Sequence, residues 1–187
     1  MKPFVTARDV PVFIGSKQIP VSVPIHIRDD ELIMVINSEQ FCDWQSRIDP
    51  RFNIRSIEFQ SIDFFGRSPN RRLGFAKFKC DVTGPDGQFL PGVVFMRGGA
   101  VVVLVVLRCN GQEYTVLTRQ PRFAMGSFFF PENPAGMLDG SSNFAGKAIT
   151  ELKEEAGINI LPEELIDMTK LVYGEEWKGV YTTAGAT

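Results

Sequence analysis

Apolar and polar positions alternate in short runs through the first half of the chain. Val10 to Ile14 and Ile19 to Ile25 are β-rich runs separated by Gly15-Ser16-Lys17, which predicts a hairpin. Pro11, Pro20 and Pro24 cannot donate to a strand ladder, so these strands belong at a sheet edge or are interrupted. Helical spacing replaces the alternation over Glu39 to Ile48, with Ser38 as N-cap and Asp49-Pro50 as the stop. Ile54 to Phe65, Leu73 to Val82 and Gln88 to Arg97 then return to strand patterns. Between the last two, Gly84-Pro85-Asp86-Gly87 turns the chain, because Pro fixes φ and Gly tolerates positive φ. Residues 1–98 therefore read as an antiparallel β domain built around one helix.

A different pattern starts near Gly98-Gly99. Ala100 to Leu107 is apolar throughout and rich in valine, the signature of a strand covered on both faces. Asn110-Gly111 turns the chain, and Tyr114 to Thr118 returns as the hairpin partner. Phe128-Phe129-Phe130 leads into the bend Pro131-Glu132-Asn133-Pro134. A helix is predicted from about Asn143 to Ala156, with Gly157 as its left-handed C-terminal residue. Pro162-Glu163-Glu164 opens a second short helix, and Met168 to Tyr173 and Val180 to Thr183 are weaker strand patterns. Residues 99–187 thus form a second domain mixing strands and helices, and the chain as a whole is α+β.

Composition narrows the chemistry. Twenty Lys+Arg against 22 Asp+Glu leave a net charge of −2, so no global basic field points to nucleic acid. The apolar run Ala100 to Leu107 falls well short of the roughly 20 residues a membrane helix needs. Met1-Lys2-Pro3-Phe4 lacks the apolar stretch of a secretory signal. Cys42, Cys80 and Cys109 are odd in number and widely spaced, which argues against a disulfide scaffold and for a reducing, intracellular compartment. The cytoplasm is the default, with an organelle left open. One histidine, His26, leaves little room for a Ser-His-Asp hydrolase or a His-rich metal site. Any catalysis here must rest mainly on carboxylates, Arg or Lys, and a hard metal ion.

Charge is also unevenly spread. Arg67, Arg71, Arg72, Lys77 and Lys79 form a basic stretch without an acid, whereas Glu151 to Glu176 is dominated by acids. At about 100° per residue, Glu151, Glu154 and Glu155 share one helical arc of roughly 100°. Phe144, Ala145, Ala148, Ile149, Leu152 and Ala156 fill much of the opposite side, which faces the core. Like charges on one turn repel; a divalent cation reverses that sign, since Mg²⁺ favours oxygen ligands. Geometry alone leaves a solvated acidic face as the alternative.

The spacing resembles the Nudix hydrolase box: Gly, five residues, Glu, seven residues, Arg-Glu-hydrophobic-x-Glu-Glu-x-Gly-hydrophobic. Gly136, Glu151, Leu152, Glu154, Glu155, Gly157 and Ile158 match in register. Ser142 stands at the first Glu position and Thr150 at the Arg position. The stretches Asp63-Phe64-Phe65-Gly66, Leu73 to Phe78, Pro91 to Phe95, Gln120-Pro121-Arg122 and Pro134 to Asp139 resemble the ADP-sugar diphosphatase branch. The resemblance implies an N-terminal β domain, residues 1–98, that mediates homodimerisation. It also implies an α/β/α Nudix sandwich with a mixed sheet, residues 99–187. The implied activity is Mg²⁺-dependent (or Mn²⁺-dependent) hydrolysis of the pyrophosphate in a nucleoside diphosphate sugar, ADP-ribose or ADP-glucose in type. Products are AMP and a sugar phosphate.

In family terms, Glu151 and Glu155 ligate metal with the backbone carbonyl of Ala135, and Glu154 binds metal or acts through a bound water. Gly136 and Arg122 are the implied substrate-binding residues, Arg122 reaching phosphate with a planar fork. A surface salt bridge is the other reading of Arg122. Thr150 removes the arginine that holds the neighbouring glutamates, and Ser142 removes a carboxylate. Lys147, four residues before Glu151, either supplies the missing cation or makes an ordinary i,i+4 surface pair. Relatives continue past the glycine-rich segment near Gly185 into further strands and a closing helix. The Nudix domain is therefore expected to be partial here, either a fragment or completed by a second copy. The competing function is a catalytically weak Nudix-fold protein that binds nucleotide or a protein partner.

Overall fold

The computed structural model describes residues 5–67, 70–138 and 143–174. The predicted strand over Val180 to Thr183 and the box position Ser142 lie outside the described residues. The chain divides into two compact units, Met1–Gly98 and Gly99–Thr187.

The first unit is a five-stranded sheet in the order β1-β2-β3-β4-β5. Strands β1 (Val5–Ile14) and β2 (Lys17–Pro24) form the predicted hairpin, with Gly15 at φ +60°. Their register shifts between Arg8 and Val12, so Pro11 sits in an irregular stretch where no ladder donor is needed. Helices α1 (Asp29–Ile36) and α2 (Glu39–Ser46) follow, and then β3 (Asn53–Phe65), β4 (Arg72–Thr83) and β5 (Val93–Met96). Because α1 and α2 cross over between β2 and β3, those two strands pair in parallel, at Val21↔Ile57 and Ser22↔Glu58. The sheet is thus mixed, antiparallel at its other joints. One sheet face and both helices share a core centred on Leu32, Val35, Phe41, Ile57, Phe59 and Phe78.

Beyond the parallel joint in a sheet expected to be antiparallel, two readings of this unit change. A second helix, α1, precedes the expected one: Asp29, Asp30 and Glu31 fill its first turn, where carboxylates suit the helix dipole, and Leu32 and Val35 bury one face. The Glu31 carboxylate also accepts from the Arg28 N–H at 3.2 Å. The strand expected over Gln88 to Arg97 shrinks to Val93–Met96 because Pro91 offers no donor.

In the second unit, β6 (Ala100–Val102) pairs with β11 (Ala135–Met137), β7 (Val106–Cys109) with β8 (Gln112–Thr115), and β9 (Thr118–Arg122) with β10 (Ser127–Glu132). All three pairs are antiparallel. Asn110 (φ 50°) and Gly111 (φ 76°) make the two-residue turn that their sequence predicts. The run Ala100 to Leu107 is two short strands rather than one, and it is covered on one face only. Val103 and Val105 are 8% and 9% exposed, while Val102 and Leu104 are 62% and 52% exposed. The apolar composition hid an ordinary period-2 alternation.

Helix α3 (Phe144–Ala156) matches its prediction closely: the Asn143 side chain accepts from Gly146 N, and Gly157 closes it at φ +68°. Pro162–Glu164 is a single 3₁₀ turn. Met168–Tyr173 is a helix, α4, not a strand, because Asp167 caps it by accepting from the Lys170 N–H at 2.8 Å. Among the described residues no helix is long and apolar enough to cross a membrane.

Candidate active site

Helix α3 packs through Ala148 and Leu152 against Val103 and Val105. Burying that stripe turns the acidic arc of the helix towards β11. Glu151 and Glu155 become partly buried there, and Glu154, at the other end of the arc from Glu155, stays exposed.

Glu151 lies directly on the backbone of Gly136. A Cβ at Gly136 would overlap the Cγ, Cδ and Oε1 atoms of Glu151, well inside the 3.0 Å that real Cβ contacts keep. The glycine is needed for space and not for an unusual φ. The Glu151 side chain is 12% exposed, and its Oε1 is 2.5 Å from Lys147 Nζ, whose side chain is 26% exposed. The i,i+4 pair foreseen for Lys147 is therefore formed, and it is half-buried.

Glu155 is anchored at both oxygens. Its Oε2 accepts from the Ala135 N–H at 3.1 Å, and its Oε1 accepts from Gln120 Nε2 at 2.5 Å. The box thus meets β11 twice, through Glu151 on Gly136 and through Glu155 on Ala135. Thr150 does not join this network: its hydroxyl donates to the Gly146 carbonyl one turn back, at 3.0 Å.

Arg122 forks onto Glu132 across the β9–β10 pair, Nε donating to Oε2 at 2.9 Å and an Nη to Oε1. These hydrogen bonds raise its already high pKa further, with smaller contributions from the charges of Glu132 and Glu155. Arg122 is therefore within the field of Glu155 while its fork is engaged by a neighbour. Gln120 and Glu132 are the residues that sequence reasoning left without a role. Gln120 and Arg122 are two apart on one strand and so share a face. That was the available signal.

The donor set, carboxylate oxygens with a backbone carbonyl, has the chemistry of a Mg²⁺ or Mn²⁺ site. Among the described residues no three His, Cys, Asp or Glu side chains converge as a ready cage. The side chains are instead partnered by protein groups, Glu151 by the Lys147 ammonium and Glu155 by two N–H donors. The donors fit the ion in kind, and their present partners are what it would replace.

No family model matches the chain, and no solved structure matches it. It is 36% identical over 159 residues to Nudix hydrolase 14, chloroplastic, of Arabidopsis thaliana, an alignment covering 80% of this chain. The chain spans about half the length (50%) of that curated relative. The similarity supports a place for the chain in the Nudix family.

Proposed function

We propose that this chain hydrolyses the pyrophosphate bond of a nucleoside diphosphate sugar, of the ADP-ribose or ADP-glucose type, to AMP and a sugar phosphate. The observation that carries the proposal is the double contact between α3 and β11, Glu151 on Gly136 and Glu155 on Ala135 N–H. It brings the box glycine and two box glutamates to one place from separate elements. Glu151, Glu155 and the Ala135 carbonyl would hold Mg²⁺ or Mn²⁺, with Glu154 available on the open side as a further ligand or through a water. When bound, the ion neutralises phosphoryl charge and lowers the pKa of an attacking water. The space that the glycine leaves at Gly136 is taken by the Glu151 side chain, and Arg122 supplies a guanidinium for phosphate once its fork turns from Glu132.

A homodimer through residues 1–98 belongs to the same reading. Strand β5 is a short sheet edge with Val93 and Phe95 exposed, a surface suited to a second copy. Sedimentation should show a dimer at micromolar concentration, and a monomer there refutes it. The setting we propose is intracellular, in the cytoplasm or an organelle; the relative's name carries a chloroplast.

The test of the activity is a Mg²⁺ titration with ADP-ribose and with ADP-glucose, following AMP release, in the wild type and in the Glu151→Gln/Glu155→Gln double variant. The double variant should lose both turnover and Mn²⁺ binding by calorimetry. Unchanged metal affinity in it would sink the site. One observation favours a second reading, a catalytically weak Nudix-fold binder: Thr150 hydrogen-bonds its own helix and leaves the glutamates without the box arginine. That reading expects nucleotide binding without AMP release.

A further inference from the structure

Resting on the reading of Glu151 as a metal ligand, we infer that Lys147 is a tethered counter-cation which a divalent ion must displace from Glu151. The two residues stand one helical turn apart on the side of α3 that faces β11. Nζ of Lys147 is 2.5 Å from Oε1 of Glu151, and both side chains are largely withdrawn from water. The Glu151 carboxylate lies in the space above Gly136, so the pair is made against β11. A lysine ammonium has three donors and no acceptor, so in its charged form it cannot become a ligand. It can only hold the carboxylate while no metal is present, and oppose a second cation there.

That opposition is strong at this distance, since charges a few ångströms apart interact several-fold more at a partly buried site than in water. The lysine stem allows the displacement: four carbons let the head swing to solvent while the stem keeps its place. Thr150 cannot take over the pairing, because its hydroxyl is turned to Gly146. The helix therefore carries a resting form in which Glu151 is paired with a cation, and divalent affinity is set partly by the cost of moving one ammonium.

Calorimetric titration of the full chain with Mn²⁺ alone tests this. Lys147→Met and Lys147→Gln should bind Mn²⁺ at least about tenfold more tightly than the wild type. Lys147→Arg, which keeps the charge, should stay within about threefold of it. Lys147→Gln retains an N–H donor to Glu151 and carries the test if Lys147→Met does not fold. Equal or weaker binding by the neutral variants, with the wild type binding Mn²⁺ normally, overturns the inference and leaves the metal-site reading intact. Folded wild type and variants that all bind no Mn²⁺ overturn the metal-site reading, and the inference with it.

Discussion

Replacing Gly136 by alanine adds one methyl where the Glu151 side chain already lies. The new Cβ would overlap three Glu151 atoms, and the overlap is with the far end of a flexible side chain and not with backbone. Relief therefore comes from swinging Glu151 outward, which gives up its burial and its pair with Lys147. Overpacking of this kind costs about 1–3 kcal/mol. For a chain of this size that lowers Tm by ~2–12 °C. The assay is a pair of denaturation series, Gly136→Ala in the wild type and in a Glu151→Ala background. In the second background the methyl enters vacated space and should cost little, giving a coupling of at least about 1 kcal/mol. Mn²⁺ affinity should fall in the single variant, since the displaced carboxylate no longer faces β11. An equal stability loss in both backgrounds would refute the reasoning, because the penalty would then owe nothing to Glu151.

Gly92→Ala is the contrasting case: its Cβ would overlap the backbone oxygen of Cys80, beside the 2.7 Å bond from Cys80 N–H to the Gly92 carbonyl. Backbone cannot swing aside, so this variant should melt lower than Gly136→Ala, and a higher melt counts against the argument. Burial pushes the Cys80 thiol up to about 11 from an ordinary 9.0, whereas Cys42 and Cys109 are exposed. A thiol reagent at pH 8 should therefore label two cysteines in the folded chain and the third only on unfolding; three fast thiols would contradict it. Since the folded pKa is the higher one, the stabilising effect of Cys80 is full below pH ~9 and is lost as pH rises through about 11.

The features legible in the sequence were those fixed by local chemistry. Ser38, Asn143 and Gly157 mark helix ends by capping, and Asn110-Gly111 and Gly15 mark turns through positive φ. The i,i+4 pairing of Lys147 with Glu151 followed from helix geometry alone. What escaped depended on distant partners. The parallel joint between β2 and β3 exists because two helices intervene, and one of them, α1, hides behind a run of acids that resembles a loop. The break in Ala100 to Leu107 arises because β6 pairs with β11 and β7 with β8, a division that no composition announces. Gln120 and Glu132 acquired roles only through tertiary pairing, Gln120 with Glu155 of the box and Glu132 with Arg122.

The small core beneath α3 bears on how the molecule opens. The helix rests its Ala148 and Leu152 on Val103 and Val105, whereas the first unit holds a broad aromatic cluster of Phe41, Trp44, Phe59 and Phe78. Amide protons of α3 should accordingly exchange with solvent by local opening well before those of β3 and β4. The carboxylates ride on the softer of the two units. An ion held jointly by Glu151, Glu155 and the strand at Ala135 would bind the closed arrangement alone. It would raise the free energy of opening by RT ln(1 + [ion]/Kd) and act as a rivet between helix and strand.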